Sequence, residues 1–256
     1  LVWVLITIAV IVAIFLLMPV LFIVALSFGS SQWLIFPPPS WTLRWYQEFF
    51  ADPRWLASVW TSAKIAVVVT IASVSIGLLA SFGLTRGNYR GSEVLRGLFL
   101  TPMVLPVVVL AVALYGLFLR IGLNGTFLGF VIAHVLVALP FSIISISNAL
   151  EGFDKSIEDA AILCGASPWE AKFRVTLPAI RSGLFAAAIF SFLISWDEVV
   201  LAIFMASPTL QTLPVRIWGT VSQDLTPVIA AASSLLVGFT VLLMIIAALL
   251  RKGPKS

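Results

Sequence analysis

The chain alternates long apolar runs with polar intervals. A helix crossing the hydrocarbon core of a bilayer needs about 20 predominantly apolar residues. The runs from Val2 to Phe28, Ser58 to Leu84, Gly97 to Leu119, Thr126 to Leu150, Gly183 to Ala206 and Pro227 to Leu250 each reach that length. The longest polar interval between two of these runs is EGFDKSIEDAAILCGASPWEAKFRVTLPAIR, Glu151 to Arg181, which must lie in water where a soluble partner can reach it. Its punctuation is that of two short helices. Ser156 is placed to cap the first, with Ile157, Ala160, Ala161 and Cys164 at helical spacing and Gly165 where a helix would end. Ser167, Pro168 and Glu170 restart it as a capping box with proline at the first helical position. The second helix is expected to stop before Pro178.

Composition turns this pattern into a class. Of 256 residues, 61% are hydrophobic and 10% charged, and the mean hydropathy is +1.13, outside the range of soluble domains. The chain reads as all-α and polytopic, six transmembrane helices forming one domain over 1–256. A net charge of +4 and a pI near 9.6 would suggest nucleic acid in a soluble chain; here the basic residues are topology signals and no nucleic-acid partner is expected. Arg86, Arg90, Arg96, Lys155, Lys172, Arg174, Arg181, Arg251, Lys252 and Lys255 fall on one side, against Arg44, Arg54, Arg120 and Arg216 with Lys64 near a span end. The positive-inside rule therefore puts the 151–181 loop and the C-terminus in the cytoplasm. Leu1 in place of methionine leads to the expectation that residues precede it, and the first apolar run is too long for a signal-peptide core.

Candidate chemistry is sparse. Cys164 is the only cysteine, so no intrachain disulfide or cysteine metal site is expected. His134 is also alone, within a span, and reads as a satisfied buried histidine or as a proton relay. The sequence lacks GxxxxGK[ST], HExxH, GxSxG and paired-cysteine motifs, so neither a catalytic site nor a cofactor is expected in this chain. Asp197 and Glu198 are the exception to an otherwise uncharged fifth span. A mid-bilayer charge costs about 2.5–3.5 kcal/mol on insertion scales, so the pair must face a bundle interior or a watery cavity. At 1.5 Å per residue from Gly183, Asp197 stands about 21 Å up the span. Trp196 beside it could add a cation–π face. The alternative is a structural salt bridge, to Lys64 or to a partner subunit. Pro102, Pro106 and Pro140 interrupt the third and fourth spans, as bends around a cavity or as packing kinks. Trp33, Trp41, Trp45 and Trp55 in the first outer loop suit an interfacial belt; alternatively Trp45 and Tyr46 shape an outer gate or meet a binding protein.

Two stretches carry a resemblance. Asp159, Ala160 and Ala161, then Gly165, then Val175, Leu177 and Pro178 keep the spacing of the EAA signature of ABC-importer permeases, with aspartate for the usual glutamate and valine for isoleucine. In that family the segment is a coupling helix that docks on a cytoplasmic ATPase. The resemblance implies that role for Ala161 to Phe173, including Gly165, Ala166, Ser167 and Pro168; the residue-level alternative is an amphipathic connector on the membrane. The SWDEVV and LPVRIW runs, with LRWYQEFF, resemble the second permease of spermidine/putrescine importers and related transporters of opines, aminophosphonates and amino acids. That likeness covers almost the whole chain. It implies a type I importer permease (MetI-like) fold in the bacterial inner membrane, and a second homologous permease with lipid around the pair. It also implies two ATPase subunits carrying ATP and Mg, a periplasmic solute-binding protein, and a substrate-path role for Asp197 and Glu198. Polyamine members can carry an aspartate after the proline early in the third span, where this chain has Pro106 and Val107. The other readings left by the residues are an ATP-independent channel or secondary transporter, using Asp197, Glu198 and His134, and a membrane scaffold.

Overall fold

The computed structural model describes residues 2–87, 89–223 and 226–251. Regular structure among them is helical, apart from isolated bridges pairing Gly29 with Trp41 and Ser207 with Leu210. The helices are α1 (Val2–Ser27), α2 (Arg44–Ala51), α3 (Pro53–Arg86), α4 (Ser92–Val104), α5 (Val107–Ile121), α6 (Phe127–Glu151), α7 (Lys155–Leu163) and α8 (Pro168–Ala171). A π turn, Lys172–Thr176, leads to α9 (Leu177–Ala179), α10 (Arg181–Asp197), α11 (Val200–Met205), α12 (Leu213–Gln223) and α13 (Val228–Arg251). Four stretches, α1, α3, α6 and Val228–Leu249 of α13, are long and apolar enough to cross a membrane unbroken. Two bent pairs bring the spans to six if each pair is one crossing.

The third expected span is one of these pairs: α4 and α5 meet at 100°. Leu105 is extended, with φ −70° and ψ 139°, and Pro106 precedes the first residue of α5. Proline's ring disfavours helical backbone in the residue before it, so the chain turns here. Pro102 and Pro140, also expected to interrupt spans, lie inside α4 and α6. In α6 the helix is packed against α10, and those contacts hold it across the proline.

The chain divides into two compact units, Leu1–Trp60 with Leu213–Leu243, and Thr61–Thr212 with Met244–Ser256. In the first, the most apolar window of α1 has a mean hydropathy of 3.2 and none of it is buried. A helix apolar all round faces lipid or another chain. Its C-terminal end is pinned by the Tyr46 hydroxyl, 2.7 Å from both Ser27 Oγ and Ser234 Oγ. Trp45 donates from Nε1 to the Gly29 carbonyl at 2.6 Å, and the Phe49 and Trp55 rings meet at 5.4 Å. Trp45 and Trp55 therefore depart from the expected interfacial belt, because their rings fill this core, while Trp33 and Trp41 are exposed.

In the second unit, Ile146, Leu150, Ile180 and Ala187 join α6 to α10, with Val74, Leu78 and Phe82 of α3 packed against them. Lipid tails are as apolar as leucine, so close packing drives helix association within a bilayer, favoured by small residues at the contacts. Gly183 is such a residue: a Cβ there would overlap the Cβ of Ala149. Ser81 Oγ donates to the Ile143 carbonyl at 3.2 Å. Arg86 Nη2 donates to the carbonyls of Leu150 (3.0 Å) and Phe153 (2.9 Å), satisfying the end of α6. We expect Gly183→Ala to lower the melting temperature of the detergent-solubilised chain, at an overpacking cost of about 1–3 kcal/mol. Gly116→Ala in α5, where a Cβ meets open space, should leave it within about 0.5 kcal/mol.

Candidate functional site

The carboxylate pair sits where a membrane helix breaks. Gly183 to Ala206 was expected as one span; instead α10 ends at Asp197, Glu198 is extended (φ −71°, ψ 115°), and α11 begins at Val200. The first N–H groups of a new helix have no partner in the helix itself. Glu198 Oε1 accepts from the Leu201 N–H at 2.8 Å, so this carboxylate caps α11. Asp197 is exposed at the end of α10, while Glu198 is half-buried. Among the described residues neither is in an ion pair, so the Lys64 salt bridge is not formed in this structure. The break also removes the 100° helical offset expected between them.

The residues just before the pair face inward. Trp196, expected as an open aromatic face beside the carboxylates, is 4% exposed and stacked on Phe192 at 5.9 Å. Its indole is taken into the α10 packing. Ser195 Oγ lies 3.0 Å from Nδ1 of His134 on α6, whose ring is fully buried with Phe130 edge-on at 5.8 Å. His134 is thus buried and bonded at Nδ1, while its buried Nε2 has no hydrogen-bond partner among the described residues, and it ties α6 to the turn of α10 that carries the pair. Trp45 and Tyr46 belong to the first unit, where the hydrogen bonds already given hold them against the end of α1.

The 151–181 segment is two helices, as expected, with three differences of detail. Asp154, not Ser156, caps α7: its Oδ1 accepts from Ser156 N–H at 2.9 Å. An anionic cap also complements the positive helix start, and the Ser156 N–H holds the Asp154 pKa below its ordinary value. The C-terminus of α7 is closed by Gly165 at φ +98°, with Gly165 N–H donating to Ile162 and Ala166 N–H to Ala161. This is a complete Schellman closure, which needs a residue comfortable in left-handed backbone. The Ser167 capping box is formed in both directions, and its Ser167 donors hold the Glu170 pKa below the usual carboxylate value.

The second difference is at Pro178, which lies inside the run from Pro168 to Ala179 instead of stopping it. Proline has no N–H for the carbonyl four residues back; the preceding π turn, closed by Leu177 N–H to the Lys172 carbonyl, shifts the register by one residue and admits it. The third concerns the acid. Asp159 is exposed, whereas Glu158 is buried and accepts from Thr176 Oγ1 at 2.7 Å, clamping α7 to the π turn. The signal for this contact was Thr176, a polar residue in the apolar VTLP stretch. Ala160 is exposed, Ala161 and Ala166 half-buried. Around them Leu163 (89%), Trp169 (67%) and Phe173 (61%) are exposed, with Trp169 and Phe173 stacked at 6.2 Å. Lys172 Nζ lies over the Trp169 and Phe82 rings, 5.2 and 5.7 Å from their centroids. The loop predicted to lie in water therefore exposes several large apolar side chains, two of them stacked on each other.

Residues 73–255 match the family of binding-protein-dependent transport system inner membrane components. The chain belongs to that family. It is 32% identical over 231 residues to the putrescine transport system permease protein PotI of Escherichia coli K12, covering 88% of this chain and 82% of that one. It is 28% identical over 239 residues to the spermidine/putrescine transport system permease protein PotC of Haemophilus influenzae, covering 93% and 92%. Its fold is similar to that of a bacterial alginate ABC transporter solved in complex with an alginate pentasaccharide-bound periplasmic protein (TM-score 0.73, 14% identity, 96% of this chain and 92% of that one). The polytopic helical architecture is thus that of an ABC-importer permease of the inner membrane.

The geometry separates the two carboxylates. We expect Glu198→Ala to destabilise the chain by about 0.5–2 kcal/mol through loss of a helix cap. Asp197→Asn, which breaks no contact, should leave the melting temperature unchanged; thermal unfolding of both variants in one detergent decides it.

Proposed function

We propose that the chain, acting over 1–256 as one permease domain, is half of the membrane pathway of an ATP-driven importer for a polyamine or a similar small organic cation. The observation that carries this reading is Asp197: a carboxylate exposed at a break in a membrane helix, with no counter-charge among the described residues. Such a group needs something to offset its desolvation, and an ammonium group of the solute does so transiently. The names of PotI and PotC support the substrate class. Glu198 holds the break open by capping α11, and Trp45 and Tyr46 contribute by fixing the first outer loop.

The partners follow from the same reading: a second homologous permease, two cytoplasmic ATPase subunits that bind ATP and Mg, and a periplasmic solute-binding protein. The exposed face of Leu163, Trp169 and Phe173, framed by Asp159, Ala160, Ala161, Gly165 and the Ser167–Pro168 cap, suits an ATPase groove, and the basic loops favour a cytoplasmic side for it and for the C-terminus. ATP-driven closure would move this segment and switch the path between outward and inward states. Val107 favours a narrower second reading. It opens α5 where polyamine members can carry an aspartate, so the path has one carboxylate fewer and suits a solute with a single cationic centre, such as an amino acid or opine.

Uptake by the complex reconstituted with its partners tests the proposal. Asp197→Asn should lower putrescine uptake at least tenfold while the subunits still assemble; unaltered uptake would defeat the substrate role. Leu163→Glu, at an exposed position, should leave the spans folded but abolish co-purification of the ATPase. Retention of the ATPase by that variant would remove the docking role from this face.

A further inference from the structure

The first unit carries a charged site of its own. A cleft of about 390 Å³ is lined by Glu48, Asp52, Arg54, Trp55, Arg216 and Thr220. A neighbouring depression of about 330 Å³ shares Glu48 with it and adds Arg44. The basic-residue asymmetry puts these loops on the outer side. Most of the charges are already committed. Arg44 Nε is 2.7 Å from Glu48 Oε1. Arg54 reaches Asp52 through Nε and through Nη2, the latter at 2.9 Å.

Arg216 is left over. Among the described residues no carboxylate lies within 4.0 Å of it. Its Nε donates to Ser58 Oγ at 2.6 Å, and its guanidinium lies over the Trp55 ring, 5.9 Å from the centroid. These two contacts fix the plane of the group and occupy one edge, leaving the Nη edge for a bidentate acceptor. Carboxylates match that fork. Burial first, then the charge of Arg54, push the Arg216 pKa down, against a smaller upward pull from Asp52; an incoming anion acts in the same upward sense as Asp52.

We propose that the Arg216 cleft seats a carboxylate side chain of the solute-binding protein, so that Arg216 sets where that protein docks. The proposal rests on the importer reading and on the family's dependence on a binding protein. Other occupants fit less well. A cationic solute is repelled by Arg216, and the flanking Glu48 and Asp52 oppose an anionic lipid headgroup, whereas a protein surface can set hydroxyls or lysines against them.

The test uses the assembled complex with its cognate binding protein, in nanodiscs of zwitterionic lipid, reading ATP hydrolysis against binding-protein concentration. Arg216→Ala should raise the half-saturating concentration roughly tenfold or more, the scale of a lost charge-assisted bidentate contact. Arg216→Lys should raise it less, and added salt should weaken the unaltered complex more than the alanine variant. Ser58→Ala loses the same internal hydrogen bond but keeps the guanidinium, so it should shift the half-saturation far less. An equal shift in Ser58→Ala would mark the effect as one of packing and overturn the proposal. A shift seen only with anionic lipid would assign the cleft to a headgroup and overturn it too. Stimulation with an unmoved half-saturation in Arg216→Ala overturns this proposal alone. Failure of the binding protein to stimulate the unaltered complex overturns the importer reading together with it.

Discussion

A bilayer offers no hydrogen bonds, so every peptide group inside it must be satisfied by the protein. That constraint decides where this chain can leave the helical state. At Glu198 the backbone turns to extended geometry within a membrane segment, and the carboxylate takes up the Leu201 N–H that the turn would otherwise strand. At the end of α6 the Arg86 guanidinium takes up the Leu150 and Phe153 carbonyls. Both residues are charged; from hydropathy alone Glu198 would be read as an interruption of a span and Arg86 as a loop charge beyond one. They are what makes an interruption tolerable, and the open carboxylate of Asp197 stands where it does because its neighbour has satisfied the backbone.

The same dual character runs through the basic residues. Summed by side, they orient the chain. Taken singly, Arg86 closes a helix, Arg96 lies 3.6 Å from Glu151, and Lys172 lies over Trp169 and Phe82. Arg216, counted only as a minority charge on the outer side, is half-buried against Trp55. Orientation rules use net numbers, whereas fold and recognition depend on which atoms each cation meets.

What was legible in the sequence was what depends on short range. Uninterrupted apolar length located α1, α3, α6 and α13, and the Ser167–Glu170 box and the Gly165 closure could be read because caps involve residues three or four apart. The competition between Asp154 and Ser156 was not decidable that way, since both suit an N-cap and the outcome rests on which side chain reaches the next free N–H. Which proline bends a helix was equally hidden: Pro106 turns the chain by 100° while Pro140 sits in a helix held by α10. The split of the tryptophans, Trp45, Trp55 and Trp196 inside and Trp33 and Trp41 outside, depends on how the elements pack, as where Trp45 meets the Gly29 carbonyl and Trp55 meets Arg216. For the acidic pair, its unusual position was evident, but its division into a cap and an open charge required the break in the helix.

The bend between Pro168–Ala179 and Arg181–Asp197 is 71°. With its elbow at Ile180, buried among α6 side chains, this stretch has the form of a crank: a short arm in water and a long arm in the membrane. At 1.5 Å per residue the long arm is about 25 Å, so a turn of about 5° at the elbow sweeps its far end through about 2 Å. That end carries Asp197. The leverage belongs to the backbone path itself: if the two arms turned as one rigid body, a tilt of the water-exposed arm would displace the carboxylate in proportion to the longer arm.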